Sequence, residues 1–249
     1  MKIIRLLFGN GSNTIIFASE IKSVNNLLSK ISIRVNDHLY QKDPESSELG
    51  RRIVSGSIVL IHEIGFEEFN FKKLATAIGS TEASVYRYFE NKHKLLLYLI
   101  SWYWNWMEYQ LLFKTANITS AKERLNISIE LLTGRRDLDG NFEHINEIKL
   151  NKIICVESSK GLLTKEVDEE NKHGVFLPYK QVVERVSAFI TEINPNYPYP
   201  HMLISTTIEG AHHQRFYAEH LPRLTDIVEG EDSIMVFYKQ MICRSINNV

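Results

Sequence analysis

The chain has 249 residues, 44% apolar and 24% charged, enough for one large domain or two small ones around a buried core. Its 29 Lys and Arg against 30 Asp and Glu leave a formal charge of −1, which argues against a histone-like or polybasic protein. The two cysteines, Cys155 and Cys243, make no spaced pair, so neither a disulfide framework nor a zinc knuckle is expected, and a reducing, cytoplasmic setting is.

The opening run Met1–Phe8 is interrupted by Arg5 and falls below the roughly 7–15 uninterrupted apolar residues of an export signal. Residues 1–42 read as an N-terminal extension. Ile21, Val24, Leu27 and Leu28 share one face of a short helix over Ser19–Lys30, and Ile31, Ile33 and Val35 then alternate with polar residues as a short strand or extended arm. Such an arm either packs on the rest of the molecule or carries Lys30 and Arg34 toward a minor groove.

Asp43-Pro44-Glu45 reads as a helix opening: a capping carboxylate, a first-turn proline and an acid at the positive end of the dipole. Leu49, Ile53, Leu60, Ile61 and Ile64 keep helical spacing up to a stop at Gly65. Asn70 caps a second helix over Phe71–Ile78, and Gly79-Ser80-Thr81 breaks it. Thr81 caps a third from Glu82 to about Phe89, and Asn91 a fourth running through Trp106. The most apolar stretch, Leu95–Met107, has 13 residues, short of the roughly 20 that span a bilayer, so no membrane partner is expected.

Farther on, Ser120 opens a helix through Leu125, Ile129 and Leu132, closed at Gly134. Phe142, Ile145 and Ile148 begin another, although Lys149–Val156 also reads as a strand. Val175–Ile193 is amphipathic, Pro200 opens a helix reaching about His220, and Ile234–Ile246 makes the last. No βαβ rhythm or repeat appears, and the fold class is all-α. The charge balance is +3 over residues 1–44, zero over 45–105 and −4 over 106–249, so the front would face a polyanion.

The informative segment is Gly65–Leu97, two short helices joined by a turn containing Gly79, between two longer ones: a helix-turn-helix layout. Phe69, Leu74 and Ile78 pin the first short helix so that it braces the second. Thr81-Glu82-Ala83-Ser84 gives the second a small-headed start that fits a major groove about 12 Å wide, while Val85 and Phe89 point to the core. The run GFEEFNFKKLATAIGSTEASVYRYFENKHKLLLYL resembles the DNA-binding signature of the TetR/AcrR family of bacterial transcriptional regulators. The likeness lies in Gly65-Phe66, Leu74-Ala75, Ile78-Gly79, Thr81 to Tyr86, Phe89, Asn91-Lys92 and Leu95, and it covers roughly residues 48–105.

By position, the resemblance implies phosphate contacts from Thr81, Tyr86 and Lys92. It puts Glu82, Ala83, Ser84, Arg87 and Tyr88 toward base edges or the adjoining backbone, and Asn70 and Lys72 near phosphates. Glu82 departs from the usual neutral or basic residue; it either accepts from a cytosine N4 or favours the helix dipole. Phe71 stands where a small hydroxyl residue is commoner, so one phosphate contact is missing. With the segment neutral, binding would rest on a few placed groups rather than bulk charge.

The resemblance implies three parts: the extension (1–42), a three-helix DNA-binding domain (43–92), and a helical bundle for ligand binding and dimerisation (93–249). Residues 200–220 and 231–247 take the place of the dimerising helices. The function implied is a ligand-responsive repressor binding a palindromic operator as a homodimer, with double-stranded DNA and an unidentified small molecule as partners and no cofactor. Trp106, Tyr109, His212 and His213 are the candidate pocket residues, although the aromatic set Trp102, Tyr103, Trp104, Trp106 and Tyr109 also reads as core packing. The competing reading is a helical metal-dependent enzyme on the Glu209/His213/His220 face, but the spacing there is not that of HExxH.

Overall fold

A computed structural model of the chain describes residues 33–247; the readings made for the first residues, for the 19–30 helix and for Lys30 lie outside them. Among the described residues there are ten α-helices and no strand. They are α1 (Glu48–Glu68), α2 (Phe71–Ala77), α3 (Glu82–Tyr86), α4 (Lys92–Thr115) and α5 (Ala121–Thr133). There follow α6 (Glu147–Leu162), α7 (Val167–Lys172), α8 (Leu177–Ile193), α9 (Pro200–His220) and α10 (Ser233–Asn247). No helix among them is long and apolar enough to cross a membrane.

Of the two readings of residues 31–36, a short strand or an extended arm, the described residues 33–36 follow the second. Ile33 is buried and the Asn36 amide donates to the carbonyl of His173 at 2.7 Å, so this stretch lies on the bundle as extended chain. The helix opening at Asp43 is also split. Asp43 Oδ1 accepts from Glu45 N at 2.9 Å and closes one 3-10 turn over Pro44–Ser46, and a second cap, Ser47, accepts from Gly50 N at 3.1 Å to begin α1. Two capping side chains in succession make a corner where one alone would make a longer helix.

The regular helix of α1 stops at Gly65, as expected: its φ of +76° and ψ of 160° are non-helical, and a separate short turn across this kink carries the chain to Glu68. The freed groups at the kink are taken by distant partners. Phe66 N donates to Glu157 Oε1 at 3.1 Å, and Lys92 Nζ donates to the carbonyls of Phe66, Glu67 and Phe69 at 3.0, 3.1 and 3.3 Å.

The core is built around α4. From Leu95 to Trp104 every residue is buried, which is why this helix is apolar all round. Trp102 stacks on Trp106 and meets Phe142 edge-on at 5.3 Å, while Trp104 stacks on Tyr179 at 4.2 Å. Around it, α8 packs on α4, α5 and α9, and α6 packs on α1, α4 and α9. The last helix, α10, rests on α5 and α9. The ambiguous 149–156 segment is the heart of α6. The short acidic α7 has no side-chain cap, no first-turn proline and only one buried residue, Glu170, so neither a start signal nor an apolar face announces it.

Candidate nucleic-acid interface

α2 starts where Asn70 Oδ1 accepts from Lys73 N at 2.9 Å, and it is pinned by buried Phe71, Leu74 and Ala75. The turn depends on Gly79, whose φ is +61°, with Ser80 N returning to the carbonyl of Ala75 at 2.8 Å. Arg52 of α1 donates to the Ile78 carbonyl and ties the end of α2 down. Thr81 then caps α3: its Oγ1 accepts from Ser84 N at 3.2 Å and shares a 2.8 Å hydrogen bond with Ser84 Oγ.

This start sorts the side chains of α3 by depth. Val85 and Phe89 are fully buried, whereas Thr81, Glu82, Ala83, Tyr86 and Arg87 are exposed and Ser84 is half-exposed. Tyr86 is 47% exposed, yet its ring leans edge-on against Phe71 at 4.9 Å, so its hydroxyl is carried outward on a braced ring. That contact gives Phe71 a structural reason to stand where a hydroxyl residue is commoner. Lys72 and Arg87 are exposed and enter no ion pair among the described residues, while the neighbouring Lys73 is held by Glu68 at 3.2 Å.

Two expected members of this face are engaged elsewhere. Tyr88 is 3% exposed, with its hydroxyl 2.8 Å from Ser47 Oγ and its carbonyl accepting from Gln41 N. It is turned inward because residue 88 follows Val85 by three and shares its buried face. Lys92 is half-buried, with its ammonium on the three carbonyls of the α1 end and 4.8 Å from the centre of the Phe66 ring.

The four candidate pocket residues do not converge. Trp106 is buried and donates to Asp139 Oδ2 at 3.0 Å, and half-buried Tyr109 packs on Phe113 and Phe142. His212 is buried beside Trp104 with no hydrogen-bond partner for either ring nitrogen among the described residues; burial, then the charges of Arg136 and His213, hold its imidazole down at about 3. His213, the next residue on the helix, points outward and stacks on Tyr217. The metal-site alternative finds no support either. Glu209 accepts from the Tyr179 hydroxyl at 2.9 Å, and no group of three His, Cys, Asp or Glu side chains among the described residues is disposed to hold a metal.

A cavity of about 880 Å³ lies instead where α1, α6 and α9 meet the 134–136 turn. Its charged walls are Arg135, Arg136, Lys152 and Arg215, with Glu157 and Glu219, and none of the four candidate pocket residues borders it. Sequence reasoning missed it because its walls come from segments far apart in the chain. Glu157 is both a wall of this cavity and the acceptor for the α1 kink.

Comparison with known proteins places this architecture. A solved structure of AibR in complex with isovaleryl coenzyme A and operator DNA superposes with a TM-score of 0.51 at 19% identity, covering 77% of this chain and 97% of that one. The regulator FadR from Bacillus subtilis, in complex with stearoyl-CoA, gives 0.52 at 16%, covering 80% and 98%. The superantigen PfiT gives 0.52 at 16%, covering 82% and 97%. Likeness at this level establishes a shared fold, and a fold hosts many functions. No curated protein matches the sequence. The family model described as bacterial regulatory proteins, tetR family, matches residues 53–99, which run from α1 through the helix-turn-helix into α4. Over this segment the chain carries the DNA-binding region that the model of bacterial regulatory proteins, tetR family, describes.

Proposed function

We propose that the chain is a ligand-responsive transcriptional regulator that acts in the cytoplasm by binding operator DNA, without catalysis. The observation that carries this reading is the α3 face. A capped, braced helix start presents Thr81, Ala83, Ser84, Tyr86 and Arg87 outward while Val85 and Phe89 anchor it, and Lys72 stands exposed beside it. A short-headed start of this kind suits entry into a major groove, with Ser84 and Glu82 at base edges and Thr81, Tyr86, Arg87 and Lys72 toward phosphates. The inward Tyr88 and carbonyl-bound Lys92 serve that face from beneath.

In this reading the protein is a homodimer paired through α9 and α10, which expose Met202 and Phe237 at 66% and 55%. A two-fold pair puts two α3 helices on half-sites of a palindrome about one helical turn, roughly 34 Å, apart. It acts as a repressor: effector binding shifts the population toward a dimer whose two helices no longer match the half-sites. AibR with isovaleryl coenzyme A and operator DNA, and FadR with stearoyl-CoA, support a small-molecule response in this fold.

Selection of bound sequences from random duplex DNA tests the reading. It should enrich an inverted repeat with half-site centres about 10 base pairs apart, or a multiple of that turn. Recovery of no common sequence would overturn it.

A further inference from the structure

The cavity between α1, α6 and α9 has an uneven charge pattern. Four of its charged walls already have partners: Arg215 lies 2.6 Å from Asp232, Lys152 and Glu219 lie 3.0 Å from each other, and Glu157 lies 2.8 Å from Lys160. Two guanidiniums remain. Arg136 is half-buried and spends its N–H groups on neutral oxygens: the carbonyls of Leu131, Leu132 and Gly134 and the Tyr103 hydroxyl. Arg135 is exposed, and neither arginine enters an ion pair among the described residues. Positive charge without a counter-ion, one guanidinium half-buried and one at the rim, favours an anion.

The rest of the wall is apolar. Ile61 and Ile153 line the depth, and Val156 and Ile227 stand at 48% and 61% exposure, apolar groups presented where water would otherwise meet them. A volume of about 880 Å³ is at the upper end of the roughly 300–1,000 Å³ of small-molecule sites. It leaves room for far more than an inorganic ion.

We propose that this cavity is the effector site and that it takes an amphiphilic anion, a carboxylate or phosphate group joined to an apolar chain, with the head hydrogen-bonded by Arg135 in the field of the Arg136 charge and the chain along Ile61, Ile153, Val156 and Ile227. The proposal rests on the ligand-responsive reading above and adds the place and the chemical class of the ligand. It also names the route to DNA. The occupant lies against Ile61, His62 and Gly65 of α1 and against Glu157, the residue that holds the α1 kink through Phe66 N.

Calorimetric titration of the full chain without DNA, using decyl phosphate, decanoate, decanol and inorganic phosphate, tests the assignment. Decyl phosphate, decanoate or both should bind at least tenfold tighter than decanol and inorganic phosphate; two binding anions mean that charge alone is read, and one means that the head group is. Arg135→Glu, at an exposed position, should leave the melting temperature unchanged and weaken the bound anion about 10- to 100-fold, the loss of one charged hydrogen bond. Ile227→Asp should weaken it similarly through the chain. The assignment is overturned if neither anion binds, if decanol or inorganic phosphate binds as tightly, or if Arg135→Glu changes nothing. DNA selection is run on the same protein. An enriched operator with no anion binding sinks the cavity assignment alone, whereas anion binding with no enriched operator sinks the regulatory reading.

Discussion

Replacing Lys92 by Met separates two roles that one residue type can serve. The ammonium sits 3.0, 3.1 and 3.3 Å from three carbonyls at the end of α1, where a helix leaves its acceptors unsatisfied and its dipole favours a cation. One hydrogen bond to a charged group contributes about 1.5–3 kcal/mol. The three here share one half-exposed ammonium and the longest is weak, so the set is worth about 2–3 kcal/mol, while the methionine keeps the apolar stem over Phe66. In a chain of this size each kcal/mol moves the melting temperature by about 2–4 °C, which gives a fall of about 4–12 °C by differential scanning calorimetry. The slope of log affinity against log salt for operator DNA should stay unchanged, because the charge faces carbonyls. An unmoved melting temperature, with a slope reduced by about 0.9 per protomer, would show a phosphate contact and refute the structural role.

Gly65→Ala should cost about 1–3 kcal/mol in urea unfolding through backbone strain alone, because the nearest atom to an added Cβ is Glu157 Oε1 at 3.9 Å. Glu157→Ala should cost a similar 1–3 kcal/mol by leaving the Phe66 N–H without an acceptor, and Glu157→Gln less, since an amide oxygen still accepts. Ser84→Ala should change which sequence is selected; Tyr86→Phe keeps the ring on Phe71, so it should leave stability alone and lower affinity a few-fold for all sequences alike. Burial pushes the Glu147 carboxyl up to about 7 from 4.5, so the folded chain holds a proton that the unfolded chain has released. Its contribution is present below pH 4.5 and is lost at up to about 1.4 kcal/mol per unit as pH rises toward 7; Glu147→Gln should flatten that fall. The depressed His212 acts with the opposite sign: below its ordinary 6.5 only the unfolded imidazole takes a proton, so stability is lost as pH falls, and His212→Leu should remove that acid sensitivity in pH-dependent melting.

What the sequence disclosed was local chemistry. Asn70, Thr81, Asn91 and Ser120 announce helix starts because each accepts from a backbone N–H three residues on, an interaction complete within one turn. Pro200 marks the start of α9 for the same kind of reason, through its fixed φ. The points it leaves incomplete or misread depend on partners far along the chain. The stop at Gly65 is legible, but not what completes it: Glu157, 91 residues beyond Phe66, supplies an acceptor for Phe66 N and Lys92 supplies donors for the carbonyls. Tyr88 looks available for DNA until Ser47, 41 residues earlier, takes its hydroxyl. His212 and His213 look like a pair, but neighbours on a helix point about 100° apart, and the packing of α9 buries one and exposes the other.

In the proposed reading, the contact of the cavity wall with α1 also bounds the response it can transmit. Glu157 reaches α1 through one backbone hydrogen bond, and its other oxygen pairs with Lys160, which in turn lies 2.8 Å from Glu67 just past the kink. The Lys160–Glu67 arm is exposed and adds little. Freeing Phe66 N is worth about 1–3 kcal/mol, the same size as the coupling free energies that change affinity about 5- to 150-fold. An effector acting on this latch alone is therefore confined to that range. A larger release from DNA requires α1 to carry α2 and α3 with it, which the Arg52–Ile78 tie and the packing of α1 on α2 provide for. The kink at Gly65 is then the point at which α6 is coupled to the helix-turn-helix, and Lys92, holding the same carbonyls from α4, sets how far that end of α1 can move before a second set of bonds is lost.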